Sequence, residues 1–160
     1  ILGVGDWETG SAATFKNAYR EFPWYTEGIS GFVDAEDVSE LMVRLMKSDI
    51  QAERFIVSAE NWAFRSVFEQ MAKGFGKKPP SLKVSPALAS LVWRWEKVKS
   101  LFSGSDPLLT KETAETAQQK VYFDNSKILK AFPDFSFRPL QDTIELACVE
   151  YMKKMDSRIS

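Results

Sequence analysis

The chain has 160 residues, 44% hydrophobic and 27% charged, enough apolar material for one folded domain that buries roughly 70% of its unfolded surface. Lys plus Arg (21) nearly balances Asp plus Glu (22), so no strong field gathers nucleic acid or an anionic membrane. Histidine is absent, which removes the usual general base, the commonest metal ligand and the Ser/His and Cys/His nucleophile pairs.

In chain order, residues 1–3 read as the end of a buried strand running into a glycine turn. In "SAATFKNAYREF", Ala12, Phe15, Ala18, Tyr19 and Phe22 recur at helical intervals. "FPWYTEGISGFVD" reads as loop and short extended structure. Val38, Leu41, Met42, Leu45 and Met46 then form a helix stripe, with Asp34 or Asp37 placed to accept from its first-turn amides. "RFIVS" (54–58) has the consecutive apolar residues of a strand buried on both faces, and Asn61 is expected to cap the helix carrying Phe64, Val67, Phe68, Met71 and Phe75.

Lys77, Lys78 and Lys83, interrupted by Pro79 and Pro80, read as a solvated loop with one short extended stretch after it. Leu88, Leu91, Val92, Trp95 and Phe102 predict another helix. A polar helix is expected over 110–119 from a Thr110 cap, and one over "NSKILKAF" from Asn125. A last helix has Pro139 in its first turn, followed by Leu140, Ile144, Ala147, Cys148, Tyr151, Met152 and Met155. The lone Cys148 reads as inert packing on this helix, and the methionines as core filler. No run approaches the roughly 20 apolar residues of a membrane span, so the expected compartment is the cytoplasm.

The glycines of "GVGDWETG" fail as a dinucleotide fingerprint. Their spacing is wrong, Asp6 puts negative charge where pyrophosphate needs bare amides, and Trp7 obstructs close backbone approach. Tyr19, Tyr25, Tyr122 and Tyr151 all lack the Lys four positions on that a short-chain dehydrogenase uses for proton transfer. Asp34 and Asp37 fit capping better than metal binding. Trp93 lies about 200° from Trp95 on a helix, so it is left to line a pocket, face a partner or lie on the surface.

Four segments, in order, resemble one family. "ILGVGDW" is similar to an "ILGPGDW" turn, and "GFVDAEDVSELMVRLM" to an "FVHVDDVA" strand and helix. "ERFIVSAENWAFRSVFEQMAKGFGKKPP" resembles the strand and helix that follow, and "VYFDNSKILKAFPDFSFRPLQDTI" the closing segment of extended short-chain dehydrogenase/reductases, the NAD-dependent epimerase/dehydratase group that includes dihydroflavonol-reductase-like proteins. The resemblance implies a helix-rich α/β fold: the C-terminal, substrate-binding portion of a Rossmann-type enzyme, lacking its nucleotide-binding half. Residues 1–76 would be the last strands and helices of the Rossmann-type core, and 77–160 a helical substrate-binding cap.

The glycine-rich loop and the catalytic Tyr and Lys would lie ahead of Ile1, so neither catalytic nor cofactor-binding residues are expected here. NAD or NADP would serve the intact protein and not bind this piece. The resemblance and the loop positions give Asp6, Trp7, Phe32 and Asp34 as pocket lining, with Phe22, Tyr25 and Trp93 beside them; Val4 and Asp34 depart from the family's Pro and His or Tyr. The expected partners are a small-molecule substrate and the nucleotide-binding half, with self-association through exposed strand edges. No nucleic acid or membrane is expected as a partner. The alternative from another class is a non-enzymatic helical module presenting Trp93 to a protein.

Overall fold

A computed structural model describes residues 1–84 and 116–157. The short helix expected after the glycine turn forms as a 3-10 turn at Gly10–Ala12 continued by α1 (Ala13–Tyr19). Strand β1 (Trp24–Tyr25) pairs in parallel with β4 (Leu82–Lys83), and β2 (Ile29–Phe32) pairs antiparallel with β3 (Glu60–Ala63), Phe32 opposite Glu60. Helices α2 (Ala35–Met46), α3 (Phe64–Gly74), α4 (Ser126–Ala131) and α5 (Leu140–Asp156) complete the described elements. The fold is α/β with five α-helices and two small sheets among the described residues.

Two clusters hold it together. In the larger, α3 and α5 pack on each other and on α1, enclosing Phe15, Met71, Ile144 and Cys148 with Trp7 and Tyr151. Trp7 meets Phe15 and Tyr151 edge-to-face at 5.6 and 5.2 Å, the arrangement ring quadrupoles favour. The smaller cluster sets Leu41 of α2 on Ile128 and Phe135, flanked by Leu45, Phe55 and Val57.

The N-terminal residues do run beside a strand end. Leu2 N–H donates to Val33 O and Ala35 N–H donates to Leu2 O, both at 2.8 Å.

Several expectations are corrected. Residues 54–58 form no strand, because a ladder needs a partner and none flanks them among the described residues; Phe55 and Val57 face the smaller cluster while Ile56 is 47% exposed. The strand begins at Glu60 instead. Asn61 therefore sits inside β3 and caps nothing: its amide brackets Phe123, accepting from the backbone N–H at 2.8 Å and donating to the carbonyl at 2.9 Å. Asn125 precedes α4, but its amide donates to Ser58 O at 2.7 Å, and Asp124 Oδ1 takes the Ser126 amide instead. Pro139 stands just before α5, in extended conformation, rather than in its first turn. Met42 and Met46 are exposed rather than core filler. The predicted helix on Leu88–Phe102, the Thr110 cap and Trp93 lie outside the described residues.

Gly31 is required by close approach. A Cβ there would fall against Ser58 Oγ and within 2.7 Å of the Phe123 ring, so β2, residue 58 and the 121–125 segment meet only where no side chain intervenes.

Candidate functional site

The chain's most connected polar group is Asp34. It ends β2's extension in β conformation and caps α2, its Oδ1 accepting from Glu36 N–H at 2.7 Å. Its Oδ2 accepts from Thr143 Oγ1 at 2.8 Å and from the Arg138 guanidinium at 2.9 Å. Arg138 also reaches Glu36 at 2.7 Å, and its backbone N–H donates to Asp37 Oδ2 at 2.9 Å. Glu60 repeats the arrangement one step on, taking Leu140 N–H at 2.7 Å and the Trp62 indole N–H at 2.8 Å. Three carboxylates thus receive the segment that enters α5.

Burial pushes the Asp37 carboxyl above the ordinary value of 3.8, and the neighbouring Asp34 charge adds to this against the Arg138 amide bond. Asp34 is 3% exposed and both its oxygens are engaged, so it orders the fold behind a pocket rather than offering a vacant acceptor. Sequence reasoning found Asp34 through its position before a helix. It missed Arg138, Thr143 and Glu60, because their partners stand 80 or more positions away; the motif "FSFRPL" was the one signal available.

The remaining expected site residues fall into two groups. Trp7, 5% exposed, and Phe32 belong to the larger core cluster. Asp6 turns back on its own loop, its Oδ1 taking Glu8 N–H at 3.1 Å and its Oδ2 the Thr9 hydroxyl at 3.0 Å. Beside this turn lies a shallow cleft of about 410 Å³ lined by Val4, Gly5, Trp7, Glu150, Lys153 and Lys154.

Phe22 and Tyr25 lie apart from that cleft, around β1. There exposed Phe22 and Trp24 accompany Tyr25, whose ring carries the Arg65 guanidinium 4.7 Å from its centroid. The Glu27–Lys83 ion pair at 2.6 Å fixes the far side of this aromatic shelf. Flat apolar faces beside a cation suit the ring of a nucleobase or sugar. Trp93 cannot be assigned to either surface.

No three His, Cys, Asp or Glu residues converge to hold a metal among the described residues. Cys148 is buried, its thiol pushed up to about 12 by desolvation first and by Glu145 second, so it is not a nucleophile at neutral pH. No helix among the described residues is long and apolar enough to cross a membrane.

Comparison with solved structures follows this geometry closely. The structure of gox2253 superposes on 96% of the chain with a TM-score of 0.72 at 21% identity. A nucleoside-diphosphate-sugar epimerase from Pseudomonas aeruginosa, PA4631, superposes on 96% with a TM-score of 0.71 at 17% identity. The fold is shared. RMD from Pseudomonas aeruginosa, solved in complex with NADPH, matches over 96% with a TM-score of 0.61 at 12% identity. The chain spans slightly less than half of these proteins: 47%, 45% and 45% of their lengths. No protein-family model and no curated protein matches it.

Proposed function

We propose that the chain is the C-terminal, substrate-binding portion of an NAD(P)-dependent oxidoreductase or epimerase of the extended short-chain dehydrogenase/reductase type. The observation that carries this reading is a fold match over 96% of the chain to under half of each neighbour, one titled an epimerase and another solved with NADPH. The four ordered motifs that resemble that family point the same way. Residues 1–76 would then close the Rossmann-type core, and 77–160 form the cap over the substrate.

The residues present do not fit a dinucleotide. The amide of Glu8, which a pyrophosphate would need, is already taken by Asp6, and the Asp6 carboxylate would repel the phosphates. The cofactor, NAD or NADP, therefore belongs with the nucleotide-binding half. That half also carries the catalytic Tyr and Lys that the family resemblance implies. This chain supplies shape and polar contacts: the shelf of Phe22, Trp24 and Tyr25 takes a flat ring or sugar face, and the Asp34–Arg138 node holds α5 and the turn at Asp6 in register behind it. The substrate carbon is a carbinol or keto centre, and a nucleoside-diphosphate sugar is the first class to try.

The test pairs two readings. Genomic sequence upstream of Ile1 should encode a glycine-rich loop and then Y-x-x-x-K. Calorimetric titration of NAD and NADP should show binding to the longer polypeptide and none to the 160 residues. Sub-millimolar affinity of the short chain, or an upstream region without the loop, overturns the reading.

A further inference from the structure

Helix α2 carries more apolar surface than the described chain covers. Its inward side, Asp37 and Leu41 with half-buried Leu45, closes on the cluster of Ile128, Phe135, Phe55 and Val57. Glu40, Arg44 and Asp134 form ion pairs at 2.7 Å along one flank. The opposite flank is bare: Met42 is 59% exposed and Met46 83%, with Val38 half-buried above them. At 3.6 residues per turn, Ala35, Val38, Met42 and Met46 fall within roughly 80° of one another, a single stripe about three turns long. Gly3 packs at its head, where an added Cβ would stand 3.0 Å from Ala35 Cβ.

A second observation comes from the sheet beneath. Residues 54–58 have the composition of a buried strand and pack under α2 through Phe55 and Val57. They have no neighbouring strand among the described residues. In an α/β layer, helices lie side by side over adjacent strands, so the strand that joins a free edge brings its own helix alongside the existing one. One strand-and-helix unit would cover both open features.

A second copy of the chain fits poorly as that unit. Its own free strand is again 54–58, and the helix that follows, α3, is already packed against α1 and α5. The solved neighbours, by contrast, extend beyond the matched part for more than half their length.

We infer that the Val38–Met42–Met46 flank of α2 is the seat of a helix from the nucleotide-binding half, whose strand pairs with residues 54–58. This rests on the reading under Proposed function. It is tested by hydrogen peroxide oxidation followed by mass spectrometry, on the 160-residue chain and on the polypeptide that includes the upstream-encoded residues. Met42 and Met46 should oxidise several-fold more slowly in the longer polypeptide, while fully buried Met71 stays slow in both. Equal rates in a longer polypeptide that binds nicotinamide overturn the docking assignment and leave the functional reading standing. A longer polypeptide without nicotinamide binding overturns both. Protection already present in the short chain, with light scattering showing a dimer, assigns the stripe to a second copy and also overturns the inference.

Discussion

A single carboxylate, Asp34, ties the start of α2 to the segment that leads into α5. Replacing it with Ala removes a helix cap and the acceptor of both Thr143 and Arg138. Because the Arg138 side chain is one-third exposed, water recovers part of the loss, and Asp34→Ala should cost about 2–3 kcal/mol. Urea unfolding measures it; a loss under half that would mean the node is not holding α5. Asp37 behaves in the opposite sense. Its carboxyl is raised in the folded state, so between 3.8 and the raised value the native chain binds the extra proton and stability falls as pH rises. Asp37→Asn keeps an acceptor for Arg138 N–H and removes that penalty. The stability of the variant relative to the parent should therefore grow as pH rises from below 3.8 and then level off, a trend that unfolding curves at several pH values would reveal. From sequence, Asp34 was readable as a cap because capping is local. The guanidinium that completes it was not, since the 104 positions between them are bridged only by tertiary structure.

Helices were legible and strands were not, for a reason visible in each. α2, α3 and α5 announce themselves through apolar residues three and four apart, a signal contained within one element. A strand exists only when another backbone lies beside it, so "RFIVS", with ideal composition, forms none, while the polar "ENWA" pairs with β2. The caps at Asn61 and Asn125 failed similarly: both amides were drawn away by backbone groups of distant segments. Packing at Gly31 belongs to this scale. Gly31→Ala forces β2 away from Ser58 and Phe123 and should destabilise by roughly 1–3 kcal/mol. Ser58 Oγ is buried without a hydrogen-bond partner among the described residues, so Ser58→Ala alone should be neutral or slightly stabilising. In the double variant part of the Gly31→Ala loss should return, because the atom it strikes is gone; additive losses in a thermal-unfolding cycle would contradict this packing.

For the molecule as a whole, the aromatic shelf and the turn at Asp6 occupy separate surfaces, and their assignment to one substrate depends on a further half that would bring them to a common cavity. The sequence resemblance located these residues, yet Trp7 and Phe32 proved to be core, because a large aromatic near a pocket is first a packing element. Until that half is present, the edge at 54–58 is open to pairing with other copies. The isolated chain should show concentration-dependent association by light scattering, and Ile56→Lys, which places a charge on that edge at a half-exposed position, should suppress it without lowering the unfolding midpoint. A clean monomer at all concentrations would remove the premise.

The asparagine clasp on Phe123, the Ile29 ladder with Gln119 and Val121, and the Arg138 node all join residues before 84 to residues after 116. Neither stretch needs the covalent path between them to find the other. A backbone severed anywhere from 85 to 115 would leave two pieces that still travel as one particle, which makes that interval a natural place to insert a reporter or to split the gene.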